Sequence, residues 1–512
     1  MLQPVNPATL EPVGSVSASS PEEVAEVVAE ARLAAERWAQ SSFDERRALL
    51  GQVAAAVLDH AEEIAATVTA ETGKPLVESY TAELFVALDN LVWAASNVSR
   101  VLRPEPLSYP QPHLRHKRGW LLYEPLGVVA VISPWNFPFG IPFTQAAFAV
   151  AAGNAAVVKP SELTPLSGAW LERLFPNGLV RVVQGGGDVG EALVRAPGTA
   201  KVVFTGSGET GRRVASLAGE RLRPVTLELG GKDPMLVFED ADLDRAVAGA
   251  LWGAFANCGQ VCSGVERIYV ARPLQEAFVE ELARRAGALR VGRGDDLQIE
   301  LGPLINEEAR ARVEELVEGS GGEVRLGGAR PEVGLPGWFY EPTILTGVDR
   351  EARIVREEIF GPVVTVSSFG DEDEAVWLAN DSSFGLGASV WTRDLERAAR
   401  VTRRLEAGSV WTNDVSYSYG TGQASWGGTK ESGYGRTHSK HGLYELSRVK
   451  FADLDRGRVP VPWWFPYDEG VLEGFRGMAG VLYGEGLSRR VEAAWRHRGG
   501  LLALGRRYLS GL

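Results

Sequence analysis

The two cysteines of this 512-residue chain stand four positions apart, at Cys258 and Cys262, in the segment FANCGQVCSG. Two thiols at this spacing can form a disulfide or provide half of a metal site. Alternatively, one of them can be a nucleophile and the other an inert neighbour. A disulfide across one helical turn is strained, and a zinc site needs about four ligands, whereas no histidine lies nearby. Burial as inert thiols is the remaining alternative. The turn GQVCSG, which leads from a helical pattern into a strand, favours Cys262 as a nucleophile in a cleft.

A glycine-rich turn offers a second kind of chemistry. The segment VVFTGSGETGRRVA contains Gly206, Gly208 and Gly211 in the pattern G-x-G-x-x-G, between an apolar run and a helical one. Backbone N–H groups at the N-terminus of a helix bind pyrophosphate, so this context favours a dinucleotide site over a plain turn. The general pattern also needs an acid about 20 residues later to bind the ribose. Glu228 stands at that distance, which makes it the ribose ligand on this pattern alone.

Composition excludes several classes of protein. A hydrophobic content of 45% and a charged content of 23% are ordinary for a globular chain. The net charge of −13 argues against nucleic acid as the main partner. No basic patch precedes an apolar run at the start, and no apolar run reaches the length of a membrane span, so we expect neither a secretory signal nor a spanning helix. With so few cysteines and no leader, we expect a cytoplasmic protein.

The spacing of apolar residues indicates which helices and strands position these candidate residues. Ser20 is predicted as an N-cap and Pro21 as the first helical residue, and Glu23 stands where it would complete a capping box with Ser20. Helical spacing of apolar residues continues from Val24. Residues 44–100 also favour helix. The prolines of residues 101–112 predict a linker.

Short β-branched runs then alternate with helical segments. This alternation predicts parallel sheets that are covered on both faces by helices, in two α/β domains that meet near residue 231 and are followed by a different tail after about residue 456. The predicted strands contain GVVAVIS, AAVVK, VRVVQ, KVVFTG, VTLELG, PMLVFED, RIYVAR, PVVTVSSF and GASVWT.

Seven motifs in chain order resemble the aldehyde dehydrogenase superfamily over the first 455 residues. They are SPWNFP (133–138), KPSELTP (159–165), FTGSGETG (204–211), LELGGKDP (227–234), GQVCSG (259–264), EEIFGPV (357–363) and KESGYGR (430–436). The resemblance implies an α/β, aldehyde dehydrogenase-like fold with a Rossmann-type NAD-binding domain (1–103 and 126–230) and an α/β catalytic domain (231–430). It also implies oligomerisation segments (104–125 and 431–455), beyond which residues 456–512 form a C-terminal extension.

The resemblance also implies catalytic roles. Cys262 matches the nucleophile that forms a thiohemiacetal, and Asn136 matches the amide that donates to the resulting oxyanion. Glu228 matches the base that activates water to hydrolyse the thioester, which replaces its interpretation as a ribose ligand. Cys258 matches no functional position and is expected to be a packed, inert helix residue.

The cofactor positions follow from the same resemblance, and no metal is implied. Glu162, paired with Lys159, matches the ribose ligand, and its carboxylate disfavours a 2′-phosphate, which favours NAD over NADP while NADP stays possible. The positions that match cofactor contacts in the family are Trp135, Lys159, Glu162, Gly206, Ser207, Gly211, Glu358 and Phe360.

The predicted function is oxidation of an aldehyde to a free acid, and three alternatives stay open. A CoA-acylating relative needs no water-activating base, so Glu228 argues against it. A non-catalytic protein of the same fold is disfavoured because Cys262, Glu228 and Asn136 occur together. Cleavage of activated esters by the same thiol is the third alternative. The segment 413–428 departs from the family at Ser425–Trp426, so the sequence leaves the aldehyde open.

The tail has no counterpart in the family pattern. Residues 459–470 are dense in proline and aromatic residues and predict an extended arm. From Leu487 an amphipathic helix is predicted, with a break at Gly499–Gly500. The tail is expected to contact a neighbouring subunit of a homodimer or homotetramer, and an anionic membrane surface is the alternative.

Overall fold

The computed structural model describes residues 1–455, 457 and 461–509. The chain divides into two compact units. The first unit combines residues 1–102 with 124–448, and the second combines 103–123 with the described residues from Val449 onward.

The strands of the described residues are numbered in chain order. They are β1 Glu105–Leu107, β2 Arg118–Pro125, β3 Val128–Ile132, β4 Ala155–Lys159, β5 Val180–Val182, β6 Thr199–Thr205, β7 Val225–Glu228, β8 Asp233–Val237, β9 Val265–Ala271, β10 Glu323–Leu326, β11 Thr343–Thr346, β12 Val363–Phe369, β13 Phe384–Gly385, β14 Gly387–Trp391, β15 Ser409–Thr412, β16 Thr429–Lys430, β17 Gly433–Tyr434 and β18 Ser447–Leu454.

The helices are numbered in the same way. They are α1 Pro21–Trp38, α2 Phe43–Asp59, α3 Ala61–Thr72, α4 Leu76–Glu78, α5 Phe85–Val101, α6 Gly140–Ala151, α7 Pro165–Leu174, α8 Gly187–Arg195, α9 Gly208–Gly219, α10 Leu243–Phe255, α11 Gln275–Ala286, α12 Glu307–Glu318, α13 Arg353–Arg356, α14 Glu372–Asn380, α15 Leu395–Thr402, α16 Ser439–Glu445, α17 Glu469–Tyr483, α18 Gly486–Arg496 and α19 Arg498–Leu509.

A six-stranded sheet carries the first half of the first unit. Its order is β17-β7-β6-β3-β4-β5, and all pairs are parallel except β17 with β7. The chain runs outward from β3 to β4 and β5, and then returns to β6 on the other side of β3. Ligands of open parallel sheets bind beyond the carboxyl ends of the strands at such a switch point. The segments that follow β3, β4, β6 and β7 therefore meet at one edge.

A seven-stranded sheet carries the second half. Its order is β10-β11-β12-β9-β8-β14-β15, with β10 as the antiparallel edge strand. The strands β8, β9 and β14 are buried along their whole length because helices cover both faces. A hydrophobic core lies on each face of the sheet. One core includes Val270 and Phe278, and the other includes Leu236 and Val390.

Most sequence-based predictions for this unit are confirmed. The α/β fold class is correct, each predicted run contains a strand, and Ser20 and Glu23 form the predicted capping box of α1. Two predictions were wrong in detail. The proposed linker of residues 101–112 contains β1, and the helical region 44–100 is interrupted at Gly73, which has a φ of 74°, and by a π-helix at Ser79–Leu84.

The second unit consists of a three-stranded sheet and a helical hairpin. The sheet order is β1-β2-β18, and α17 packs along α19 with α18 between them in the chain. Helix α17 was not predicted, because Gly474, Gly477 and Gly480 lower its helix propensity. The same glycines permit close packing, since a Cβ at Gly474 would collide with the Leu504 side chain.

Other predictions for the tail have mixed outcomes. The break predicted at Gly499–Gly500 comes earlier, at His497, because both glycines lie inside the first turns of α19. Part of the predicted extended arm at 459–470 lies outside the described residues. Among the described residues, no helix combines the length and the apolar character that a membrane span requires.

Candidate active site

Cys262 lies in the turn between α10 and β9, on a backbone of unusual conformation. Asn257 and Cys258 adopt left-handed φ angles of 51° and 56°, and Gly259 follows with a φ of 69°. A side chain at Gly259 would collide with the Gly361 carbonyl, so this turn requires glycine. The prediction that Cys258 lies on a regular helix was therefore wrong, because α10 ends at Phe255 and a tight turn follows.

The two thiols are free and have unequal surroundings. Cys258 is 1% exposed and packs in the core of the seven-stranded sheet, as expected for an inert residue. Cys262 is half-buried and lines a cavity of about 260 Å³. Only Cys262 of the two borders space that a substrate can enter.

Five aromatic rings contribute to the lining of the cavity. The rings that line it belong to Phe137, Trp252, Tyr417, Tyr419 and Trp426. Trp426 is 1% exposed, and the Tyr419 ring meets it edge-on at 5.2 Å between centroids. The Tyr419 hydroxyl is buried and has no hydrogen-bond partner among the described residues, so it is available to a bound molecule.

The lining of the cavity also includes one carboxyl group. Glu78 accepts hydrogen bonds from the Asn257 backbone N–H at 3.1 and 3.0 Å through its two oxygens. Burial raises the pKa of Glu78 to about 7, although the Asn257 N–H and the charge of Lys74 oppose the rise. The cavity therefore holds a single acidic side chain that changes its charge near neutral pH.

Asn136 follows β3 and is fixed to the turn that carries Cys262. Its Nδ2 donates to the Gln260 carbonyl at 3.0 Å, and its own backbone carbonyl accepts from Asn257 Nδ2 at 3.0 Å. The side chain is 2% exposed, and Oδ1 has no partner. Since an amide has two N–H groups and Gln260 takes one, the other is free to donate to a ligand beside the thiol.

Glu228 ends β7, where it lies opposite Thr205 of β6 and Gly433 of β17. The residue is 3% exposed, and its Oε1 has no partner. Burial raises the pKa of Glu228 to about 8, while the charge of Arg436 and the indole N–H of Trp426 oppose the rise. A carboxyl group with this pKa can exchange a proton near neutral pH.

The thiol lies among acidic groups. Burial raises the pKa of Cys262 well above its usual range, and the nearby carboxylates of Glu228, Glu358 and Asp233 raise it further. Burial also raises the pKa of Asp233 and of Glu358 to about 8. A positive charge bound here would stabilise the thiolate.

Predicted cofactor residues lie at the carboxyl ends of β4 and β6. The Lys159 Nζ contacts the Glu162 carboxylate at 3.3 Å and donates to the Gly185 carbonyl at 2.7 Å. The Glu162 side chain remains 48% exposed and can accept from a ligand. Burial lowers the pKa of Lys159, although the charge of Glu162 opposes this effect.

The glycine-rich turn forms the start of α9. Ser207 is its N-cap, and its hydroxyl accepts from the Thr210 N–H. Gly206 donates its N–H to the Glu228 carbonyl at 3.0 Å, which joins this turn to the proposed base. A side chain at Gly211 would collide with Leu229, so this glycine lets α9 pack closely on β7. The N-terminus of α9 is thus open to an anionic group such as a pyrophosphate.

The other predicted cofactor residues come together between the two sheets. Glu358 Oε1 accepts from the Gly231 N–H at 3.0 Å, and a side chain at Gly230 would collide with the same carboxylate. The rings of Trp135 and Phe360 meet edge-on with 5.5 Å between centroids. The segments that carry these residues offer a helix N-terminus, which suits phosphates, and carboxyl groups, which suit ribose hydroxyls. The roles of the eight residues as cofactor contacts stay predictions.

Several residues of this site were not predicted from the sequence. Trp426 had a signal, since it stands where the sequence departs from the family pattern. Tyr419 lies in the same departing segment, 413–428, whereas Glu78 had no signal, because it reaches the cavity only through tertiary packing. Within residues 1–455, 457 and 461–509, no group of three histidine, cysteine, aspartate or glutamate side chains is arranged to hold a metal ion.

Comparison with known proteins extends this description. The sequence model of the aldehyde dehydrogenase family matches residues 1–452. A betaine aldehyde dehydrogenase of Brucella anthropi is 38% identical over 469 residues, which cover 90% of this chain and 95% of the relative. The crystal structure of betaine aldehyde dehydrogenase from Staphylococcus aureus in complex with NAD+ superposes with a TM-score of 0.85 at 35% identity, covering 91% of this chain and 93% of the other. An E. coli NADP dependent enzyme superposes with a TM-score of 0.84 at 36% identity and covers 89% of this chain and 94% of its own.

Proposed function

This chain belongs to the aldehyde dehydrogenase family, and from that premise we propose that it oxidises an aldehyde to the carboxylic acid with NAD+. The observation that carries the proposal is the position of the Cys262 thiol. It borders the cavity, it lies in the turn whose Gln260 carbonyl accepts from the Asn136 amide, and Glu228 is near enough to raise its pKa. We propose that these three residues are the nucleophile, the oxyanion donor and the base.

The first step is attack by the Cys262 thiolate on the aldehyde carbon. The new C–S bond pushes the carbonyl electrons onto oxygen and gives a thiohemiacetal oxyanion. The free N–H of Asn136 donates to this oxygen, together with the backbone N–H of Cys262. One such donor lowers the activation barrier by on the order of 3 kcal/mol.

The second half of the reaction releases the acid. Glu162, the N-terminus of α9 and Glu358 would hold NAD+, which would supply the acceptor for the hydride of the thiohemiacetal carbon. Loss of that hydride would leave a thioester on Cys262. Glu228 then takes a proton from a water molecule whose oxygen attacks the thioester carbon. Cleavage of the C–S bond releases the carboxylic acid and restores the thiolate.

Glu162 supports NAD+ over NADP+. Its exposed carboxylate beside Lys159 can accept from ribose hydroxyls, whereas it repels a 2′-phosphate. The NAD+ complex of the Staphylococcus aureus relative supports the same choice, and the E. coli relative keeps NADP+ as the alternative.

The lining of the cavity supports an aldehyde with a cationic body. Aromatic faces attract cations, and the carboxylate of Glu78 adds a negative charge among five rings. The betaine aldehyde dehydrogenases among the relatives act, by their name, on a cationic aldehyde. We propose betaine aldehyde or a similar ammonium aldehyde as the substrate class.

The test of this function is NADH formation with a panel of aldehydes: betaine aldehyde, aliphatic, aromatic and carboxylate-bearing aldehydes, each with NAD+ and NADP+. We expect turnover with NAD+ and the highest kcat/KM for the cationic member. Cys262→Ser should abolish turnover while NAD+ binding persists, and the matched control Cys258→Ala should retain it, because only Cys262 borders the cavity.

Two outcomes contradict the proposal. Growth of NADH absorbance that requires CoA would identify the acylating alternative. Absence of any turnover across the panel would favour a non-catalytic protein of the same fold.

The raised pKa of Glu228 predicts the pH dependence of hydrolysis. The base must be ionised, so steady-state kcat should rise with pH as Glu228 loses its proton near pH 8. Glu228→Gln should keep the first, rapid formation of one NADH per site and lose most of the later turnover, together with its pH dependence. Rapid-mixing measurements between pH 6 and 10 test this. A variant that turns over at the wild-type rate with the same pH profile would refute the base assignment.

We also propose that the C-terminal extension contacts a neighbouring subunit of a homodimer or homotetramer. On α18, Leu487, Val491 and Trp495 are 79%, 59% and 70% exposed and recur at helical spacing, so this helix exposes one apolar face. Residues 461–512 carry seven arginines against five acidic residues, in a chain of net charge −13, and this small positive excess favours an acidic partner such as a second copy. The cytoplasmic location stays a prediction.

Truncation after residue 455 tests the contact. We expect a smaller oligomer by light scattering or altered kinetics, and Leu487, Val491 and Trp495 changed together to alanine should reproduce the effect. An unchanged oligomer with unchanged kinetics would refute it, and binding of the full chain to anionic vesicles would favour the membrane alternative.

A further inference from the structure

A buried ion pair lies directly behind Asn136. The Lys74 Nζ and the Glu83 Oε1 are 2.8 Å apart, and both side chains are fully buried. Removing two charges from water costs about as much as their attraction returns, so such a pair is a weak source of stability. The groups that it contacts point to another role.

Lys74 fixes the backbone of Asn136. Its Nζ donates to the Asn136 carbonyl at 2.7 Å and lies 4.3 Å from the centre of the Phe137 ring. The same carbonyl accepts from Asn257 Nδ2 at 3.0 Å. Two donors from distant parts of the chain therefore hold this one carbonyl in place.

Glu83 fixes the residues that follow. Its Oε2 accepts from the backbone N–H groups of Phe139 at 3.1 Å and Gly140 at 2.6 Å, at the start of α6. A side chain at Gly140 would press against Glu83 at 3.2 Å, so the segment fits closely around the pair. The ion pair thus holds residues 136–140 at both ends.

The same contacts reach the turn of Cys262. The Gln260 carbonyl accepts from both Asn136 Nδ2 and Asn257 Nδ2, at 3.0 and 3.1 Å. Asn257 has a left-handed backbone and therefore depends on such contacts for its conformation. Movement of the Asn136 backbone would change the distance between its amide and the thiol.

We propose that Lys74 and Glu83 are positioning residues, which hold the Asn136 amide at the oxyanion beside Cys262. This inference rests on the oxyanion role proposed above for Asn136. A displacement of about 1 Å in a positioned group lowers turnover by about 10²-fold, which sets the size of the expected effect.

The experiment replaces the pair by neutral side chains of similar length. Lys74→Met with Glu83→Gln leaves no unpaired buried charge, yet removes the donor to the Asn136 carbonyl. We expect kcat to fall about 10- to 100-fold, while the Kd for NAD+ stays within about twofold. Lys201→Met with Glu445→Gln is the control, since it neutralises another buried lysine paired with a glutamate, at 2.6 Å, outside contact with Asn136. It shows how far such a change alone alters Tm and kcat.

A double-mutant cycle separates positioning from general support of the fold. In an Asn136→Ala background the neutral pair should lower kcat by less than about threefold, because residues that act through one group are not additive. Wild-type kcat in the neutral pair, or an equal loss with and without Asn136, would overturn the inference.

Two further results keep the inference testable. If the neutral pair does not fold, Lys74→Arg retains the charge and should lower kcat at a temperature where the variant is folded, whereas wild-type kcat would overturn the inference. If Asn136→Ala alone leaves kcat unchanged while the neutral pair lowers it, the oxyanion assignment fails and the inference fails with it. Loss of kcat in Asn136→Ala without loss in the neutral pair overturns the positioning role alone.

Discussion

The burial of one thiol among carboxyl groups is the constraint on which the rest of the site depends. Glu228, Glu358 and Asp233 all raise the pKa of Cys262, in a region where burial already disfavours a thiolate. The same burial raises the pKa of the carboxyl groups themselves. The site thus favours neutral groups on its own and becomes suited to a thiolate when a positive charge is bound. This is the electrostatic requirement that a nicotinamide ring satisfies.

The fold keeps these groups together because two of them lie at strand ends and the third is bound to the segment that joins those strands. Glu228 ends β7, Asp233 begins β8, and Glu358 is held by the Gly231 N–H. A side chain at Gly231 would collide with the Cys262 carbonyl, so the backbone between β7 and β8 packs directly on the turn of the nucleophile. The backbone that carries Glu228 and Asp233 is therefore held close to the turn of the nucleophile.

Sequence patterns predicted those parts of the structure that depend on near neighbours. The β-branched runs became strands, and Ser20 with Glu23 capped α1, because both signals act over a few residues. The turn at Asn257–Cys258 was missed, since its left-handed backbone is stabilised by Glu78 and Asn136, which are distant in sequence. Helix α17 was missed because its glycines favour packing against α19 while they weaken the local signal.

In the candidate site, too, features set by near neighbours in sequence were predicted, whereas contacts between distant residues were not. Motif spacing was sufficient to select Cys262 and the turn at Ser207, whereas Lys74 and Glu78 carry no signal that separates them from surface charges of a helical region. Their burial and their contacts arise only after both sheets are assembled. Glu228 illustrates the limit most clearly, because its distance from the glycine-rich turn equally predicted a ribose ligand.

The central claim is that Cys262 is held as a neutral thiol until a positive cofactor binds. The most direct test is the rate of Cys262 alkylation by iodoacetamide as a function of pH, with and without NAD+, in the Cys258→Ala variant. The account predicts an apparent thiol pKa above the ordinary value of about 8.5 without NAD+ and a marked decrease when NAD+ is bound. An apparent pKa at or below the ordinary value that NAD+ leaves unchanged would contradict it.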